Sequence, residues 1–126
     1  MLGSMPMNRS RWPAFALISL VAVPAASQVS FAGLDQAVAA AKADAAVQAG
    51  VPATELQVTA AEALTWRNGG IGCPRKGVLY TDALVPGYRV WLRGAGRDWD
   101  YHASQAGALV LCTPARARDP LPDSRK

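Results

Sequence analysis

Apolar and polar positions alternate with three different rhythms along this chain. From Leu34 to Ala49 the spacing is helical: Leu34, Val38, Ala41 and Ala45 make one narrow stripe, while Asp35, Gln36, Lys42 and Gln48 lie off it. Alanine, the best helix former, dominates the segment. A stripe of such small side chains suits a helix lying close against a sheet. Gly50 is placed to stop the helix and Pro52 to prevent its resumption. Val51 to Glu55 is then a connection. Leu56-Gln57-Val58-Thr59-Ala60 alternates apolar and polar as a half-buried strand does, and the alternation shifts in Ala61 to Trp66. That shift predicts a bulge near Ala60-Ala61.

The stretch Asn68-Gly69-Gly70-Ile71-Gly72-Cys73-Pro74 has no regular period, and its glycines, asparagine and proline specify turns. An irregular excursion follows to Gly87, with room for a short strand at Val78-Leu79-Tyr80. Tyr88 to Arg93 is the clearest strand, Gly94-Ala95-Gly96 is a hairpin turn, and Arg97 to His102 is the return strand. Pairing Gly94 with Arg97 sets Leu92 opposite Trp99 and Val90 opposite Tyr101. The same register sets Arg93 opposite Asp98, Trp91 opposite Asp100 and Arg89 opposite His102. One face is then apolar and the other charged, whereas a one-residue slip would mix them. Ser104 to Gly107 turns the chain into a last strand, Ala108 to Cys112. Thr113 onward, with Pro114, Pro120 and Pro122 among alternating charges, is expected to be a disordered tail, 113–126. The expectation is therefore an α+β domain over 33–112: one N-terminal helix packed on an antiparallel sheet of about four strands. Its element order is that of a cystatin-like roll.

The N-terminus changes where this domain is expected to work. A basic segment, Asn8 to Arg11, precedes an apolar run from Trp12 to Val23 and a set of small residues. This order is that of a signal peptide, 1–32, with cleavage somewhere in 25–32, after Ala25, Ser27 or Ala32. The apolar run is shorter than the roughly 20 residues a membrane span needs. An uncleaved anchor helix is the alternative. Export implies a periplasmic or secreted protein, and about 95 residues remain, enough for one modest core. Arg9 and Arg11 belong to the leader, so the formal charge of +4 halves without it. The remaining basic residues are scattered. A nucleic-acid partner is not expected, nor is membrane contact once the leader is gone.

Two cysteines in an exported chain most simply form one disulfide, Cys73 to Cys112. A free thiol beside His102 is the rival. Cys73, His102 and Asp98 or Asp100 could make up a thiol triad for a thiol-dependent or hydrolytic enzyme. Against it, Asp100 sits about 7 Å along the strand from His102, and no helix N-terminus follows Cys73. The row Asp98-x-Asp100-x-His102 offers three metal ligands on one face, but with one histidine in the chain a polar face paired with Arg89 and Arg93 is the better account, and no metal site is expected. The glycine run lacks the lysine-serine ending of a phosphate loop. No cofactor is expected. Tryptophan beside arginine is an interface composition. The expected contact residues are Trp66, Ile71, Pro74, Tyr88, Arg89, Trp91, Arg93 and His102. Trp91 is either exposed between its arginines or covered by the Cys73–Gly87 excursion.

Trp66-x-Asn68-Gly69, Gly72-Cys73-Pro74, Tyr80-Thr81, Pro86-Gly87-Tyr88-Arg89, Tyr101-His102 and Cys112 together resemble a family of small exported bacterial proteins of unknown function. The resemblance spans Leu34 to Cys112. The chain departs from that pattern at Arg67, where proline is usual, at Arg75-Lys76, and at Trp99, where the family pairs two tyrosines. The resemblance supports the disulfide and the fold and carries no activity. The function expected is a non-catalytic, monomeric binding domain for a protein partner, of an envelope-inhibitor or immunity-like kind. A structural envelope component, marked by a uniformly polar surface and buried tryptophans, is a further alternative.

Overall fold

The computed structural model describes Gly3 and residues 30–126. Most of the expected leader, with the cleavage points after Ala25 and Ser27, lies outside the described residues. Helix α1 runs Leu34–Ala49 and ends at Gly50, whose φ of 68° and ψ of 33° are the left-handed conformation a glycine cap supplies. A single 3₁₀ turn follows at Ala53–Glu55. Four antiparallel strands come next: β1 Gln57–Trp66, β2 Val85–Gly94, β3 Arg97–Ser104 and β4 Leu109–Cys112, in spatial order β1-β2-β3-β4. The expected α+β architecture is present, and Cys73 is bonded to Cys112 with the Cα atoms 5.7 Å apart.

The hairpin has the register that face chemistry dictates. Leu92 pairs with Trp99, Val90 with Tyr101, Arg93 with Asp98 and Arg89 with His102. Ala95 and Gly96, with φ of 52° and 74°, form a turn whose positive φ angles match the twist of the strands. The bulge in β1 falls between Val58 and Ala60, just before the expected place. The excursion carries no strand at Val78-Leu79-Tyr80, and β2 instead begins earlier, at Val85.

The inner face of the sheet packs on α1. Ala37, Ala41 and Ala45 are fully buried, with Val38 and Leu34 at the margins, so the stripe is centred on alanine. Their small side chains let the helix sit against Val90, Leu92, Trp99 and Tyr101. Tyr101 Oη donates to Asp44 Oδ2 at 2.6 Å and fastens helix to sheet. Phe31 extends this core. It is buried over Tyr88 and Ala103, its N–H donates to Gln105 O, and its carbonyl accepts from Tyr88 Oη.

The outer face is also covered, which the alternation of the strands did not reveal. Residues 113–126 do not behave as a disordered tail. They leave β4, pass the disulfide loop and run along the free edge of β1. Arg118 N–H donates to Gly72 O, Leu121 N–H to Thr65 O and Lys126 N–H to Ala63 O. The Arg116 guanidinium donates to the Cys73 and Pro74 carbonyls. Prolines cannot extend a sheet, yet a segment held by side chains and spaced backbone N–H groups does not need a ladder.

Candidate functional site

The outer face has two halves. At the end nearest the disulfide, Trp66 and His102 stack with ring centroids 4.5 Å apart, both without solvent exposure. Gly87 makes this possible: a Cβ there would meet Ala103 O and the Trp66 indole nitrogen, which donates to that same carbonyl. Ile71, at φ 45°, presents its carbonyl to His102 Nδ1 at 2.7 Å. A carbonyl can only accept, so Nδ1 carries a proton. His102 Nε2 lies 3.2 Å from Asp100 Oδ1, but off the direction of a good hydrogen bond, and has no well-directed partner.

Asp100 is the hub of this half. Arg89 grips it in a bidentate pair, Nε to Oδ1 at 3.0 Å and Nη2 to Oδ2 at 2.9 Å. Burial alone would push the Asp100 carboxyl up; the contacts and positive charge of His102 and Arg89 outweigh it and hold the group below the ordinary carboxylate value. Arg89 Nη1 also reaches towards Asp119 of the C-terminal segment, at 3.8 Å. Aspartate and histidine two residues apart on a strand therefore do meet, contrary to the spacing argument, because their side chains lean together.

Several expected contact residues are interior. Trp66, Ile71, Arg89 and His102 are buried under the disulfide loop and the C-terminal segment, and Tyr88 is buried on the opposite face beneath Phe31. Trp66, Ile71, Tyr88 and His102 are withdrawn from the folded surface, and Arg89, 8% exposed, reaches it only where it lines the groove beside Trp91. Charge misled the reading here: Arg89 and Asp100 neutralise one another in a bidentate pair, and a paired charge can be covered. The thiol triad loses its nucleophile, because the Cys73 sulfur is bonded to Cys112 and His102 faces Asp100 and Ile71. The aspartates of the metal row are engaged by Arg93 and Arg89. Among the described residues no cluster of His, Cys, Asp and Glu is placed to hold a metal ion.

Pro74, Trp91 and Arg93 remain accessible. Trp91 is half-buried with the Arg89 guanidinium 4.6 Å over its ring, and it borders an open groove of about 640 Å³. Thr113, Pro114 and Ala117 line the same groove, so the C-terminal segment, and not the Cys73–Gly87 excursion, neighbours the tryptophan there. Arg93 and Asp98 form an exposed pair at 2.8 Å, and Arg97 lies 4.0 Å over the Trp99 ring. Sequence reading missed Arg97, Thr113 and Pro114. The first was seen only as a turn partner, and the others belonged to a supposed tail. β4 stops at Cys112 because Pro114 cannot donate to the ladder, and this leaves the hairpin end of β3 without an outer neighbour.

A family model described as a domain of unknown function, DUF8738, matches residues 38–112. The chain belongs to that family. No curated protein and no solved structure matches it. The DUF8738 region takes in most of α1, the whole sheet, both cysteines and the buried Trp66–His102 stack. It stops where the segment closing the outer face begins, so Thr113 and Pro114 at the groove lie outside the match.

Proposed function

We propose that this DUF8738 protein is a small exported, non-catalytic binding domain that takes a protein partner at the Trp91 groove, in the manner of an envelope inhibitor or immunity-like protein. The observation that carries the reading is the groove itself. It is the place where an aromatic ring, two accessible arginines and an apolar wall of Pro114 and Ala117 meet around an open volume of about 640 Å³. Tryptophan and arginine around a recess are the residue types that dominate binding energy at protein interfaces. A partner segment with an apolar side chain for Trp91 and a carboxylate for Arg93 or Arg97 fits this chemistry. The disulfide supports an oxidising compartment, periplasmic or extracellular. No helix among the described residues is long and apolar enough to cross a membrane.

The test compares capture from envelope extract by wild type, Trp91→Ala and Arg97→Glu, with unfolding temperature followed in parallel. The expected result is a specific partner that both substitutions release while the fold persists. A partner retained by both variants, or none captured by wild type, overturns the reading. The structural-component alternative draws support from the burial of Trp66 and Trp99, but an exposed apolar loop runs against it.

A further inference from the structure

Between the disulfide and β2 the chain projects a small loop whose apolar residues point outward. Leu79 is 99% exposed and Val78 47%. Single exposed apolar residues are ordinary on any surface. Here, however, two lie side by side where the chain leaves a braced turn. Tyr80 Oη accepts from Arg75 N–H at 2.9 Å, and Val78 N–H donates to Arg75 O at 3.2 Å. Gly77 takes a φ of 80°, as the turn requires. The base is fixed at both ends. Cys73 is bonded to Cys112, the Cys73 and Pro74 carbonyls accept from Arg116, and Thr81 O accepts from Gly69 N–H. The tip therefore cannot fold back to hide its leucine without breaking these contacts.

The charges nearest the tip are cations, and Asp82, also exposed, follows where the loop returns. Arg75 and Lys76 adjoin the tip, both exposed, and no acidic residue occurs from Pro74 to Thr81. Among the described residues neither cation is in an ion pair. Exposed aliphatic and exposed cationic side chains thus stand together on one loop, with Tyr80 half-buried beside them. An anionic bilayer surface offers an apolar interior to the aliphatic side chains and anionic headgroups to the cations. A convex tip also suits a deformable surface. The Trp91 groove, by contrast, is a recess and suits a protruding partner.

We infer that the Arg75–Tyr80 loop is a membrane-surface contact, inserting Val78 and Leu79 between anionic lipids while Arg75 and Lys76 meet their headgroups. This site is independent of the groove and runs against the expectation of no membrane contact after loss of the leader. Two aliphatic side chains and two cations make a weak, reversible and salt-sensitive contact.

The test uses the exported protein with vesicles of neutral phosphatidylcholine, alone or mixed with anionic phosphatidylglycerol. Co-sedimentation should occur with the mixed vesicles, fall at least about tenfold in Leu79→Glu, which is about 1.4 kcal/mol, and fall with salt. An Arg75→Gln/Lys76→Gln double variant should lose the preference for anionic lipid. A second readout covers a chain held to the vesicle by a retained leader: in Leu79→Trp, tryptophan emission should shift to shorter wavelength and resist iodide quenching only with anionic vesicles. Trp91→Ala should leave both signals unchanged. No blue shift together with vesicle binding that Leu79→Glu leaves undiminished would overturn the inference, as would absence of vesicle binding. Loss of a captured protein partner in Leu79→Glu with no vesicle signal from wild type would instead assign the loop to protein docking.

Discussion

Two glycines and one aspartate hold the interior of the outer face together. A Cβ at Gly72, where φ is 69°, would strike the Trp66 ring and the Arg118 carbonyl. At Gly87 it would strike Ala103 O and the indole nitrogen. Gly87→Ala is expected to cost about 3 kcal/mol, the upper end for overpacking, because it also removes the Trp66 hydrogen bond; chemical denaturation measures it, and a loss under about 1 kcal/mol would show that the indole can move aside. Asp100 has its pKa lowered in the folded protein, so the unfolded chain takes up the proton first as pH falls. Its contribution to stability is complete above the ordinary aspartate value of about 4 and is lost as pH falls through the lower folded value. Unfolding free energy measured from pH 5 to pH 2 should therefore drop more steeply in wild type than in Asp100→Asn. At neutral pH the same variant should be less stable by about 3 kcal/mol, since the Arg89 guanidinium would be left buried with a neutral partner. Equal acid slopes would remove Asp100 from the account.

At the scale of elements, the hairpin and the helix could be read locally and the C-terminal segment could not. Strand alternation, a glycine-bearing turn and opposed charges all agree on one register for β2 and β3, and a slip would have cost every pair at once. Nothing comparable marks 113–126: its contacts are backbone N–H groups reaching Gly72, Thr65 and Ala63, and such contacts leave no periodicity. Removing residues 114–126 should strip the edge of β1, free the Cys73 and Pro74 carbonyls, and lower the unfolding temperature by about 10 °C. An unchanged melting temperature would mean that the segment merely lies on the surface. Phe31 raises a related point about the leader. Cleavage after Ala32 would remove a core residue and leave Tyr88 Oη without its acceptor. N-terminal sequencing of exported protein should therefore find a mature chain that retains Phe31, and a start at Gly33 would contradict this.

Over the whole molecule, one sheet is covered on both faces, by a helix on one and by a disulfide-held loop plus the C-terminal segment on the other. The disulfide ties that second layer to β4. Reduction should lower the free energy of unfolding by about 4 kcal/mol, as closure of such a loop implies, and a denaturation midpoint unmoved by reductant would contradict it. The sequence by itself determined the helix, its glycine stop, the hairpin register, the sorting of side chains between two faces and the cysteine pairing. Each follows from neighbours in sequence, from period, or from there being two cysteines in the chain. Only the tertiary structure decided which faces are covered. Arg89 and His102 look like a solvated surface in any linear reading, because a strand shows which side chains share a face and not what lies over it. Their burial depends on Asp100 pairing with Arg89 and lying against His102, on Gly87 admitting Trp66, and on a distant segment closing above them. What stays open to a partner, the Trp91 groove and the Leu79 loop, is what that second layer leaves uncovered.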